Sequence, residues 1–119
     1  MERPEIDFPG DAPPDELEIT DVVVGSGAEA PPGATVLVHY AGVDFESGEE
    51  FDASWNRGKP TELPLDSVIE GWQRGIPGMR VGGRRKLVVP AHQAYGPAGS
   101  GHRLSGRTLI FVVDLLAVS

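Results

Sequence analysis

Among side chains able to make or break bonds, this sequence offers three histidines, scattered serines and many carboxylates, and no cysteine. His39, His92 and His102 are not spaced as helix-mounted metal ligands, and no carboxylate stands at a regular offset from any two of them, so no metal site is expected. The lack of cysteine removes thiol nucleophiles, thiolate zinc sites, redox pairs and disulfide scaffolds together. No Gly-x-Ser-x-Gly elbow occurs, and the serines mostly lie in turn-like contexts without an adjacent base. The stretch Gly96-Pro97-Ala98-Gly99-Ser100-Gly101 is glycine-rich, but no Lys-Ser or Lys-Thr follows it, which argues against a phosphate cradle. Adjacent carboxylates such as Glu49-Glu50 point to opposite faces of a strand, the arrangement of solvated side chains rather than of an acid/base pair. What remains is binding chemistry in an apolar cleft, with no cofactor expected.

The elements that must build such a cleft fit one domain, since 119 residues support a single hydrophobic core. Ten Lys and Arg against 18 Asp and Glu give a formal charge of −8, which repels phosphate backbones and anionic headgroups. Nucleic-acid and membrane partners are therefore not expected. Arg80, Arg84, Arg85 and Lys86 make a local basic patch, read as a solvated hairpin face. The cysteine-free composition is compatible with a reducing compartment, and a cytoplasmic monomer is the expectation.

Residues 1–16 are acidic and hold Pro4, Pro9, Gly10, Pro13 and Pro14, so they read as an extended arm with no signal or anchor run; Ile6 and Phe8 are the side chains able to pack on a sheet edge. The domain proper is assigned to 17–119. Its first strand is expected at 17–24 and its second at 35–43, where alternation sets Val36, Val38 and Tyr40 on one face. A turn at Ser47-Gly48 leads into 50–54, and loop residues 56–60 interrupt that strand before 61–65 resumes it. Asp66 or Ser67 is placed to cap one short helix, 68–74, that ends against Gly75 and Pro77. Gly82-Gly83 reads as a hairpin turn between 79–81 and the strand 84–89, and 108–118, apolar on both faces, reads as a central strand. Residues 90–107 form a long loop of the kind that carries function. The fold class is thus α+β: a curved antiparallel sheet of five to six strands wrapped around one short helix.

Four motifs occur in order: Val38-His39-Tyr40-Ala41-Gly42, Phe51-Asp52-Ala53-Ser54, Val68-Ile69-Glu70-Gly71-Trp72 and Ala94-Tyr95-Gly96. With Gly78-Met79-Arg80-Val81-Gly82 and the Phe111-x-Val113-x-Leu115-Leu116 ending, they resemble the FKBP family of peptidyl-prolyl cis/trans isomerases, in a small single-domain, bacterial-like form. The resemblance runs from about residue 17 to 118.

The resemblance implies a pocket for substrate proline between sheet and helix, with Trp72 as floor and Tyr40, Phe51 and Phe111 as walls. It further implies a backbone donor at Ile69, a hydroxyl at Tyr95, and a buried carboxylate at Asp52 that Arg57 pairs with. Leu63, Val68 and Leu104 complete the expected substrate contacts. From the residues alone, Trp72, Phe51 and Phe111 read as core side chains and Asp52 as a turn residue. The family pattern is departed from at Thr61 and Leu63, where its best-known members have aromatics, and at Leu104, where they place paired isoleucines. The implied partners are polypeptides with Xaa-Pro bonds and macrolides of the rapamycin or tacrolimus type. The alternative is a non-catalytic module of the same fold that holds proline segments or macrolides.

Overall fold

A computed structural model of the chain describes Pro4, Ile6 and residues 13–119. Its strands follow the apolar and β-branched runs: β1 Glu18–Val23, β2 Thr35–Asp44, β3 Glu50–Ala53, β4 Thr61–Pro64, β5 Arg84–Val89 and β6 Leu109–Val118. They form one six-stranded antiparallel sheet in the order β1-β5-β6-β2-β3, with β4 also on β2. The expected interrupted strand is real. β3 pairs with the second half of β2 and β4 with its first half, and between them Ser54–Arg57 winds into a 3₁₀ turn.

Alternation along β6 and its neighbours divides the sheet into two apolar faces. Leu109, Phe111, Val113 and Leu115 face inward with Val36, Val38 and Tyr40 of β2 and with Leu87 and Val89 of β5, all buried. On the outer face Ile110 meets Val43, Phe45 and Val88 in a smaller cluster, against which Ile6 packs. Most of the proposed arm, Phe8 included, lies outside the described residues.

The inner face is closed by the helix α1, Glu70–Gly75, through Trp72, with Ile76 just beyond the helix end. Two glycines let the helix lie on β5. A Cβ at Gly71 would stand 2.4 Å from Val89 Cγ1, and one at Gly75 would stand 2.7 Å from Leu87 Cδ2. Arg85 fixes the other end of the contact by donating to the Gly75 carbonyl at 2.8 Å, the cationic complement a helix C-terminus favours.

Three expectations are corrected. The helix starts later than 68: Leu65–Ser67 forms a 3₁₀ turn, Val68 is extended, and Ile69 caps α1 without a side-chain bond. Ser67 Oγ donates to Asp66 instead of leaving either group for the helix amides. Residues 79–81 are not a strand of a Gly82-Gly83 hairpin. Arg80 forms an isolated bridge with Glu29, and the turn runs from Arg80 to Gly83 with Gly82 at φ 92°, open to glycine. The basic patch is solvated only in part, with Arg80 exposed. Arg84 clasps the buried Asp114 at 2.6 and 2.8 Å, and Arg85 pairs with Asp21 at 2.7 Å; their side chains are only 17% and 12% exposed.

Candidate functional site

Between α1, the β2–β3–β4 side of the sheet and the 90–107 loop lies a cavity of about 300 Å³, the low end of small-ligand sites. Trp72 forms its floor, 4% exposed and held edge-to-face by Tyr40 (5.1 Å between centroids) and Phe111 (5.2 Å). Phe51 extends this aromatic wall, standing edge-on to Phe111 at 5.5 Å. Gly42 makes that approach possible, since a Cβ there would meet Phe51 Cζ at 2.6 Å and Phe111 Cε1 at 2.9 Å. Leu63 of β4 and Val68 and Ile69 before α1 supply the aliphatic side, and Tyr95 reaches in from the loop.

Asp52 is the one charged residue in this lining. Tyr40 Oη donates to its Oδ2 at 2.5 Å, Arg57 Nη1 donates to its Oδ1 at 3.0 Å, and Arg57 Nη2 donates to Tyr40 Oη at 3.0 Å, closing a triangle. The 3₁₀ turn brings Arg57 back over the strand, and Gly58, at φ 72°, ends that turn in the left-handed region. Burial pushes the Asp52 carboxyl up, but the hydrogen bonds from Tyr40 and Arg57 and the arginine charge outweigh it and hold the group below the ordinary aspartate value. Burial, with the bond to Asp52, raises the Tyr40 phenol against the opposing pull of Arg57. Burial also raises Tyr95, with the Asp52 charge adding and Arg103 opposing. At neutral pH the site therefore holds one carboxylate and two neutral phenols.

The two phenols differ in what they have left to offer. Tyr40 Oη is committed to Asp52 and Arg57, whereas Tyr95 Oη makes no hydrogen bond among the described residues. The Ile69 carbonyl accepts from Trp72 and Gln73, while its N–H stays out of the backbone hydrogen-bond network among the described residues. An occupant of the cavity thus meets two unspent donors, a phenol and a backbone amide, over an apolar floor.

Of the residues singled out in the sequence, Tyr40, Phe51, Asp52, Leu63, Val68, Ile69, Trp72, Tyr95 and Phe111 line this cavity together. Arg57 is not in the lining and stands behind it, bonded to Asp52 and Tyr40. Leu104 is outside it, 8% exposed in the inner core and at the edge of a separate recess with Asp44, Glu49, Glu50 and Arg103. Ser67, which the sequence singled out only as a helix cap, does line the cavity.

Sequence reasoning also missed Ser54. It is fully buried, accepts the Tyr40 N–H at 2.7 Å, and lies 2.8 Å from His39 Nδ1. Its hydroxyl is enclosed and engaged by Tyr40 backbone groups, which makes it a tie between β2 and the 3₁₀ turn rather than a nucleophile. Only its position straight after Phe51-Asp52-Ala53 could have flagged it.

Comparison with known proteins gives one consistent result. Residues 27–116 match the family described as FKBP-type peptidyl-prolyl cis-trans isomerase. The chain is 60% identical over 117 residues to a "Probable FK506-binding protein" of Corynebacterium glutamicum, covering 98% of this chain and 99% of that one. It is 57% identical over 122 residues to an "FK506-binding protein" of Streptomyces anulatus, covering 99% and 98%. Among solved structures it is similar to a peptidyl-prolyl cis-trans isomerase of Pseudomonas syringae pv. tomato, with a TM-score of 0.76 and 36% identity over 87% of this chain and 75% of that one.

Proposed function

The chain belongs to the FKBP-type peptidyl-prolyl cis-trans isomerase family and is an isomerase of Xaa-Pro peptide bonds; we propose that the cavity over Trp72 is where that bond turns. The observation that carries this reading is an apolar, aromatic-floored cavity whose single charge is already tied to two neighbours. Rotation about an Xaa-Pro bond is opposed by amide resonance, a barrier of about 18–20 kcal/mol, and requires no bond to the enzyme. The planar form is polar because the nitrogen lone pair is delocalised onto oxygen. Moving it from water onto Trp72, Phe111 and Phe51 removes solvation that the twisted form needs less. A barrier lower by about 5–6 kcal/mol speeds the reaction by roughly four orders of magnitude.

In this reading the proline ring rests on Trp72 between Tyr40, Phe51 and Phe111. Tyr95 Oη and the Ile69 N–H donate to carbonyls flanking the turning bond. Asp52 holds Tyr40 and Arg57 in register at the rim, and Leu63 and Val68 contact the residue before proline, which favours apolar side chains there. Leu104 contributes by anchoring the loop that carries Tyr95. Substrates are Xaa-Pro segments of polypeptides, and macrolides of the rapamycin or tacrolimus type occupy the same cavity. The isomerase unit is 17–119, the acidic residues 1–16 being an appended arm, and the protein works as a cytoplasmic monomer. No helix among the described residues is long and apolar enough to cross a membrane.

The test is turnover of a short Xaa-Pro peptide by wild type, Asp52→Leu and Tyr95→Phe, each first shown to be folded. Slower exchange in both variants supports the assigned site, and undiminished rates in both remove it. Tacrolimus is expected to raise the melting temperature and to inhibit turnover, the sign of binding to the native state at the active cavity. Cell fractionation and sedimentation velocity check the location and the monomeric state.

A further inference from the structure

Tyr95 is the cavity residue with the least regular support. It lies outside every strand and α1, in a stretch with positive φ at Gly96, Gly99, Gly101 and Gly106, yet its hydroxyl has to meet a substrate atom to within a hydrogen bond. The loop supplies its own clamp. The imidazole of His102 lies flat on the Tyr95 ring, 4.1 Å between centroids and 7° from parallel. The imidazole is itself fixed, because its Nδ1 accepts the Leu104 N–H at 3.0 Å and Leu104 is buried in the inner core. That bond makes Nδ1 an acceptor and leaves the proton of the neutral ring on Nε2. The backbone is tied by the same turn: His102 N–H donates to Ser105 Oγ at 3.1 Å, and Ser105 Oγ donates to the Tyr95 carbonyl at 3.0 Å. Gly106 N–H closes the ring of contacts onto the Gly96 carbonyl at 2.8 Å.

We propose that His102 is a positioning residue of the isomerase: it holds the Tyr95 ring at the angle at which its unspent hydroxyl reaches the substrate carbonyl. The inference rests on the role given above to Tyr95, and adds the residue that aims it. His102 itself is exposed and does not line the cavity. It touches no substrate; it covers one face of a ring that otherwise packs against the inner core, so the ordering is done before substrate arrives. An exposed position also means that removing the imidazole opens no core cavity, so a loss of activity is separable from a loss of stability.

The experiment is a double-mutant cycle on peptide turnover, with melting temperatures for every variant. His102→Ala is expected to lower kcat/KM by about 2- to 3-fold, no more than the loss of the hydroxyl itself in Tyr95→Phe, at a nearly unchanged melting temperature. His102→Phe, which keeps a flat ring against Tyr95, recovers most of that loss. In a Tyr95→Phe background, where no hydroxyl is left to aim, His102→Ala costs nothing further. The Tyr95 ring protons, shifted upfield by the stacked imidazole in the wild type, return toward ordinary values in His102→Ala. Full activity in His102→Ala, no recovery in His102→Phe, or losses that add in the double variant each overturn the inference while leaving the site in place. A silent Tyr95→Phe overturns the hydroxyl's role in the proposed site, and this inference with it.

Discussion

The two polar walls of the cavity are built on opposite principles. The strand wall places Tyr40 and Asp52 on β2 and β3, and closes them with Arg57 into a triangle of hydrogen bonds in which the phenol is fully spent. The loop wall presents Tyr95 from an irregular segment, with its ring stacked and its hydroxyl unspent. Hydrogen-bonded groups on paired strands hold their geometry without substrate, and a donor kept free is available to it. In the proposed site the strand wall serves shape and charge placement and the loop wall direct contact, with Trp72 as the floor common to both.

Removing what the walls share has the largest expected effect. Trp72→Leu takes the reference surface from both and is expected to cut kcat/KM by about 100-fold, equivalent to roughly 2.7 kcal/mol of transition-state stabilisation. Trp72→Ala adds a destabilisation of about 3–5 kcal/mol, read from denaturant unfolding, because a nearly fully buried indole is lost. Breaking the strand wall comes next. Asp52→Leu leaves Tyr40 Oη and Arg57 without their common acceptor, and a loss of about 10-fold in peptide exchange is expected. Tyr95→Phe on the loop wall removes a single donor and is expected to cost less, about 3-fold. A larger loss for Tyr95→Phe than for Asp52→Leu reverses the assignment of the two walls.

The smallest effect is with pH, and its sign follows from the direction of the shifts. Because the folded Asp52 carboxyl sits below its ordinary value, the stability it contributes is fully present above the unfolded carboxylate pKa of about 3.9 and is lost as pH falls through the folded value. Tyr40 and Tyr95 lie above the usual phenol value and stay neutral well past pH 8. In His102→Phe, where no imidazole stacks on Tyr95, turnover is therefore expected to be flat from about pH 5 to 8. An exchange-NMR profile with a step inside that window contradicts the triangle as drawn.

How far the sequence could be read follows the same division. Period-two alternation made the strands and the inner face of β2 legible, since burial of one face fixes register along the strand. The cavity members followed from the ordered motifs, not from composition, because an apolar floor and an apolar core use the same residue types. Contacts between segments distant in sequence stayed hidden. Arg84 read as part of a solvated face until the β5–β6 register set it opposite Asp114. Ser54 read as the last residue of the strand 50–54, and its bond to the Tyr40 backbone had no signal in the sequence. The start of α1 was misread because Asp66 and Ser67 bond each other in a 3₁₀ turn, an equally good local use of two capping residues. His102 carries no sequence signal toward Tyr95, because a stack across a glycine-rich loop has no fixed spacing.

The central claim is that Xaa-Pro bonds turn on the Trp72 floor, and exchange NMR on a short Leu-Pro peptide tests it most directly, comparing wild type with Trp72→Leu at matched folded concentration. The account predicts rapid cis/trans exchange with wild type and an approximately 100-fold lower catalysed rate with the variant. An undiminished rate from a folded Trp72→Leu protein contradicts it, because catalysis would then not depend on the surface beneath the proline.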